Sequence, residues 1–419
     1  MSQLAATPLA SPADPTGDRP APPLPSHGSP GRVEMIDAVR GLACLWVLLH
    51  HSYLYWVWRI RARVLWHLND VAQSGYLGVH LFLVISGFVL FFPVVRRHGV
   101  RGAKVDVKAF LHRRSRRILP PYYIALALFM GLTAWPYVRH RLGSVADWRS
   151  DVLHATILYN LDPHSITTFN GAFWSLALEY QLYLVFPLLL WGCRRAGLAA
   201  TVGATLVLAL VWQSVVAPRV LALEGFTPAF QPWTYQAVLY NAVPGRWFEF
   251  AMGMVAAAAV VRPRRHQTAV ALAVILVVAP IATRLTINHG PFGPAKDQLW
   301  GLVFAATLVL SAVTPPWLAR SALVRLTAWA GGISYSIYLL HEPLLQMTQP
   351  LLARTGVPFE YRLPVFLACG LPLLVALGFA FHLVAERPFM SATKRPPVLP
   401  EAPPPPAERA AHITADAAV

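Results

Sequence analysis

The sequence predicts an all-α protein, a polytopic bundle of about ten transmembrane helices. Three observations predict it. Only 13% of the 419 residues are charged while 56% are hydrophobic, whereas soluble domains carry about 25% charged residues. Apolar runs of roughly 20 residues, enough to cross a bilayer as helices, recur along the chain. The Lys and Arg residues gather in short segments between those runs, as the positive-inside rule expects.

The runs lie at 35–57, 74–95, 118–137, 173–193, 198–217, 246–261, 268–285, 298–317, 328–349 and 363–385. The sixth is short and contains Glu249, and the seventh is interrupted by Pro280. Residues 1–31, rich in Pro, Ala and Ser and lacking an apolar signal segment, are expected to be a disordered cytoplasmic tail. The same holds for the Pro-rich stretch 391–419, which leaves one membrane domain at 32–390. If the N-terminus is cytoplasmic, segments on that side hold 23 of the 35 Lys and Arg residues. Nine of them fall within 96–117. The bias, with an even number of spans, predicts an N-in, C-in topology. The formal net charge of +16 is therefore read as topological, and nucleic acid is not an expected partner. Cys44, Cys193 and Cys369 have no CxxC spacing, so neither a disulfide framework nor a metal site is expected, and they read as small packing residues. The outer loops 138–172 and 218–245 are large enough to shape a substrate mouth.

Ionisable groups inside spans are functional candidates. In "RGLACLWVLLHHS" (40–52), Arg40 and His51 are eleven residues apart. On a helix this places them about 20° apart in azimuth and about 16 Å apart along the axis, on one face, while His50 falls about 80° away. The spacing nominates His51. "VHLFLVISGFVLFF" puts Ser86 and Gly87 in mid-span, where small residues permit close backbone approach. "FLHRRSRRILPPYY" puts Arg114 and Arg117 on one face, with Pro120 and Pro121 expected in a first helical turn. Paired guanidiniums suit phosphate oxyanions, or they simply set topology. "FWSLALEYQLYLVFP" places Ser175 and Glu179 at i and i+4. A buried carboxylate there could hydrogen-bond an imidazole or act as acid or base, or form a bundle ion pair. "GGISYSIYLLHEPLL" supplies Ser334, Tyr335, Tyr338, His341 and Glu342 to the ninth span, for chemistry or for interhelical hydrogen bonds.

With "VAERPF" (384–389), these motifs occur in an order that resembles the membrane-bound acyltransferase-3 family of multispanning O-acyltransferases, over about residues 33–390. The resemblance implies ten core helices and transfer of an acyl group, often acetyl, from cytoplasmic acyl-CoA to a hydroxyl. Acceptors would be carbohydrates of the envelope, lipids or small molecules, and the setting the inner membrane of a bacterium. By that likeness His51 is the catalytic histidine, with Glu179 a candidate acid or base. Arg40, Arg114 and Arg117 would hold the donor, and Ser86, Gly87, Ser175, Tyr335 and His341 would complete the motifs. Acyl-CoA would be a co-substrate, with no permanently bound cofactor. The doubled histidine departs from the pattern, although the spacing still selects His51. The hydrolase-like domain that some members append is not seen, so acceptor chemistry is expected of the membrane core. The rival reading is a proton-coupled transporter of a polar solute, which would move solute without releasing thiol.

Overall fold

The computed structural model describes residues 30–56, 66–133, 148–226, 232–289 and 292–390. The expected disordered tails therefore lie outside the described residues, save for Pro30 and Gly31, which open the first helix. The fold is helical throughout, with no strand among the described residues.

In chain order the helices are α1 (Pro30–Trp56), α2 (Trp66–Gln73), α3 (Leu77–His98), α4 (Val107–Thr133), α5 (Trp148–Ala155), α6 (Trp174–Ala196), α7 (Leu198–Val211), α8 (Ala217–Leu223) and α9 (Trp233–Tyr240). They continue as α10 (Val243–Val261), α11 (Gln267–His289), α12 (Lys296–Ser311), α13 (Pro316–Ala319), α14 (Ala322–Gly332), α15 (Ser334–Arg354), α16 (Phe359–Val365) and α17 (Leu371–Phe381). π-helical turns join α7 to α8, join α16 to α17 and extend α17 to Glu386. Among the described residues, five helical stretches are long and apolar enough to cross a membrane: Asp70–His98, Trp174–Ala196, Leu198–Leu223, Gln267–Ile287 and Phe366–Phe389.

Two boundaries differ from the expectation. The third span begins at Val107, where the Asp106 carboxylate accepts the Ala109 N–H at 3.0 Å and caps the helix. Pro120 and Pro121 therefore lie inside α4, not in its first turn. Their missing N–H groups interrupt the ladder, and nearby the Tyr335 hydroxyl donates to the Ile118 carbonyl at 2.8 Å. The ninth span is not continuous. It breaks at Ile333 (φ −107°, ψ 6°) between α14 and α15, and α14 starts earlier because Ser321 caps Val324 N–H.

Two close crossings fix the bundle. α3 lies along α10 and α1 along α14. At Gly87 a β-carbon would overlap the Phe250 carbonyl, and at Gly41 it would overlap the Thr327 carbonyl. Gly87 is thus a packing residue, which lets α3 approach closely. The outward faces are apolar. Leu184, Leu188 and Trp191 form an exposed stripe on α6, and Val270, Leu276, Val277 and Ile281 one on α11. Exposed apolar surface on this scale suits lipid. Cys44 and Cys193 are buried as expected, whereas Cys369 is exposed on the outer side of a π-turn and packs no core.

Candidate active site

α1, α3, α4, α6 and α15 surround a cleft with about 910 Å³ of empty space, counting the part open to solvent. Arg40, Arg114 and Arg117 line it together with Ser86, Ser175, Glu179, Tyr183, Tyr335 and Tyr338. Residues from five of the nominated motifs therefore meet at one place, with His51, His341 and Gly87 outside its lining. Three guanidiniums and one carboxylate make the lining cationic, suited to an anionic ligand.

Glu179 is held from two sides. The Ser86 and Tyr183 hydroxyls each donate to its Oε1 at 2.5 Å. This is where α3 meets α6, and it explains Ser86 beside Gly87: the glycine brings the helix in and the serine uses the approach. Among the described residues no Glu179–His51 hydrogen bond is seen; Oε1 of Glu179 accepts from these two hydroxyls instead. Tyr335 also lines the cleft, with its hydroxyl bound to α4.

His51 faces His341. The Nε2 atom of His341 lies 3.3 Å from Nδ1 of His51, with ring centroids 4.8 Å apart. The two adjacent histidines point in different directions. His50 turns the other way, with its Nδ1 on the Ala72 carbonyl at 3.0 Å, and only His51 meets α15. The tautomers follow from the partners. Nδ1 of His51 is 3.0 Å from the Val47 carbonyl, and Nδ1 of His341 is 2.8 Å from the Tyr338 carbonyl. A carbonyl only accepts, so both Nδ1 atoms carry hydrogen. The one Nδ1–H of His51 is then shared between the Val47 carbonyl and the Nε2 lone pair of His341, and the Nε2 of the neutral His51 ring is left unprotonated.

The histidine pair stands just beyond the cleft. Among the described residues, the lining reaches Ser175 and Tyr338 but includes neither His51 nor His341. Ser175 Oγ and the Tyr338 hydroxyl are 2.5 Å apart. Tyr338 also donates to the Ala172 carbonyl at 3.0 Å, and its ring lies 5.2 Å from that of His341. Tyr338 is thus the partition between the guanidiniums and the imidazoles.

The segment before α6 closes this end. Asn170 donates to the Leu339 carbonyl at 2.9 Å and accepts from Ala172 N–H. Ile157 and Phe169 hold positive φ of 58° and 65°, which bulky residues seldom adopt and which surrounding packing must enforce. Buried His154 stacks on Tyr159 at 4.2 Å between centroids and donates from Nδ1 to the Ser150 carbonyl. Burial lowers its pKa from the ordinary value.

Sequence reasoning missed a second buried centre. His80 of α3, Arg246 and Glu249 of α10, and Lys296 and Asp297 of α12 are all nearly inaccessible. Glu249 lies 2.6 Å from His80 and 2.9 Å from Arg246; Asp297 lies 2.8 Å from Arg246 and 2.5 Å from Lys296. Gln213, in the π-turn after α7, donates to Asp297 at 2.9 Å. The signal was the i, i+3 pair Arg246 and Glu249 within an apolar span. Glu386 of "VAERPF" is likewise structural, accepting from Ser336 at 2.6 Å and lying 2.8 Å from His382.

A family model described as an acyltransferase domain matches residues 33–383. Among curated proteins, a peptidoglycan O-acetyltransferase of Listeria monocytogenes is 24% identical over 77% of this chain and 51% of its own length. A Bacillus subtilis protein provisionally named a peptidoglycan O-acetyltransferase is 26% identical over 79% of this chain and 54% of its own. An O-acetyltransferase of Staphylococcus aureus is 26% identical over 39% and 25% respectively. The chain spans about half the length of the first two. No solved structure matches it.

Proposed function

The chain belongs to the acyltransferase domain family, and from that membership we propose that it is a membrane O-acyltransferase that moves an acyl group, acetyl in the first instance, from cytoplasmic acyl-CoA to a hydroxyl of an envelope carbohydrate. Peptidoglycan is the acceptor named for two relatives and the first to test. We further propose ten membrane crossings with both termini cytoplasmic. The guanidinium end of the cleft then opens inward, and the segment before α6 faces outward.

The observation that carries this reading is the division of labour along one axis. Arg40, Arg114 and Arg117 line the cleft at one end, and the His51–His341 pair stands behind Ser175 and Tyr338 at the other. Guanidinium forks suit the phosphates of CoA. The unprotonated Nε2 of His51 suits a general base. It takes the proton of the acceptor hydroxyl as that oxygen attacks the thioester carbonyl. The carbon–sulfur bond breaks, and the CoA thiolate leaves and takes up a proton. His341, accepting from His51 Nδ1–H, holds the ring as the imidazolium forms, the part an orienting third group plays in other nucleophile–base pairs. Because Tyr338 partitions the cleft from the histidines, its ring must shift for thioester and base to meet.

Replacing His51 with Ala should reduce transfer by about 10²–10⁴-fold, the usual worth of a positioned base, with protein still in the membrane. The measurement is thiol release from acetyl-CoA with isolated envelope glycan. Full activity in His51→Ala ends the assignment of the base. Solute flux without thiol release would favour a transporter instead.

A further inference from the structure

A second hollow, about 1270 Å³ counting its open part, adjoins the cleft on the guanidinium side and shares Leu90, Arg114 and Arg117 with it. Arg97, Lys104 and Arg113 stand at its rim, and Phe110 and Phe186 line it below.

Two features set it apart from charge that merely orients a membrane protein. Exposed cations repel one another and spread into water when nothing holds them together. Here five converge on one concavity, and among the described residues none of the five is in an ion pair. One carboxylate, Asp106, shares the lining, and its Oδ1 is occupied as the cap of α4. The second feature is the floor. Phe110 and Phe186 are buried with centroids 5.4 Å apart, and the Arg114 guanidinium sits 5.9 Å from the Phe110 centroid. A bare anion needs no aromatic floor. The two rings are buried and pack on each other, so they form an apolar base under the rim and not an open stacking face, and the whole suits a multiply phosphorylated ligand with an apolar part.

We propose that this hollow seats the nucleotide end of the donor, an adenosine carrying a 3′-phosphate and a 5′-diphosphate. Arg97, Lys104 and Arg113 engage the 3′-phosphate. Arg114 and Arg117, at the neck, hold the diphosphate where the uncharged thioester arm enters the cleft. The assignment rests on the acyl-CoA reading above and extends it from the cleft to the 96–113 segment.

The test is calorimetric binding to the full chain in nanodiscs of neutral phosphatidylcholine, with CoA, 3′-dephospho-CoA and adenosine 3′,5′-bisphosphate as probes. CoA should bind at least about tenfold more tightly than its dephospho form, as expected when charge-assisted bonds are lost. The Lys104→Ala/Arg113→Ala double variant should lose that preference, while exposed Arg101, outside the hollow, should tolerate Ala without change. The bisphosphate should compete with CoA. Equal binding of CoA and dephospho-CoA, unaltered in the double variant, overturns the nucleotide seat and leaves acyl-CoA as donor. Retention of anionic phosphatidylglycerol by the wild type but not the double variant, with CoA affinity unchanged, makes it a lipid headgroup site and also overturns it. Glycan acetylation that proceeds with no CoA consumed overturns the donor reading itself. A double variant that loses cooperative thermal unfolding is replaced by Arg113→Lys. That change keeps charge, removes the fork, and should weaken CoA more than dephospho-CoA.

Discussion

At His51 the direction of one hydrogen bond decides which nitrogen can do chemistry. Val47 and Tyr338 present carbonyls to the two Nδ1 atoms, so the lone pair left for catalysis is Nε2 of His51. Removing the acceptor that His341 offers should let that ring wander. His341→Phe is therefore expected to lower kcat about tenfold to a hundredfold, as second-sphere partners do, while leaving the donor KM near its original value. A changed KM with unchanged kcat would assign His341 to donor binding instead. The complementary pair is Arg114→Lys and Arg117→Lys. Each keeps its charge and loses bidentate geometry, so donor KM should rise with little effect on kcat. An unchanged KM in both would leave them as topology signals. How much of this was legible follows from sequence distance. The eleven-residue spacing selected His51 over His50 because both ends sit on one helix. Its partner lies 290 residues away on α15, and no local periodicity carries that information. The partners of Glu179 were illegible for the same reason: one of the two hydroxyls on its Oε1 comes from Ser86, 93 residues away on another helix.

Between helices, the charged cluster of α3, α10 and α12 is held by mutual neutralisation. Arg246 and Lys296 face Glu249 and Asp297, with His80 against Glu249. Removing one member strands the others in a low-dielectric interior, at a cost of about 3–5 kcal/mol. Glu249→Leu should therefore lower the thermal unfolding midpoint in detergent sharply. The double variant Arg246→Met/Glu249→Leu should recover part of the loss, since a fully apolar replacement leaves less uncompensated charge. No recovery would mean that the cluster holds the bundle by more than charge balance. The segment before α6 titrates in a different way. His154 is buried, and burial lowers its pKa. Between the folded value and the ordinary unfolded value of about 6.5, the unfolded segment binds more protons, so its stability falls as pH drops through that window. Amide protection factors over residues 148–173, which divide out the intrinsic slowing of exchange in acid, should fall below about pH 6, and His154→Gln should remove that fall. The sequence signalled these elements unevenly. Pro120 and Pro121 read as a helix start because that is where proline is least disruptive, but the Asp106 cap sets the start of α4 earlier.

At the scale of the whole molecule, five helical stretches among the described residues advertise themselves by length and apolarity, while the others carry ionisable residues or breaks within their apolar runs. α1 carries Arg40, His50 and His51, α10 carries Arg246 and Glu249, and α14 and α15 are parted at Ile333. The ten-span reading passes over these interruptions because the basic segments keep alternating with apolar runs. The same alternation predicts orientation. The turn between α3 and α4 holds Arg101 and Lys104, α6 ends on Arg194 and Arg195, and Arg262 follows α10. Successive helices bring all three to the same end of the bundle if each crosses once. Single-cysteine labelling with a membrane-impermeant maleimide tests this directly. Cys44 and Cys193 are buried, and exposed Cys369 is first replaced by Ala. Arg101→Cys should then label only in inverted vesicles, and Glu224→Cys, exposed beyond α8, only from outside intact cells. The reverse pattern would turn the guanidinium end of the cleft away from the cytoplasmic acyl-CoA pool and remove the donor assignment together with the topology.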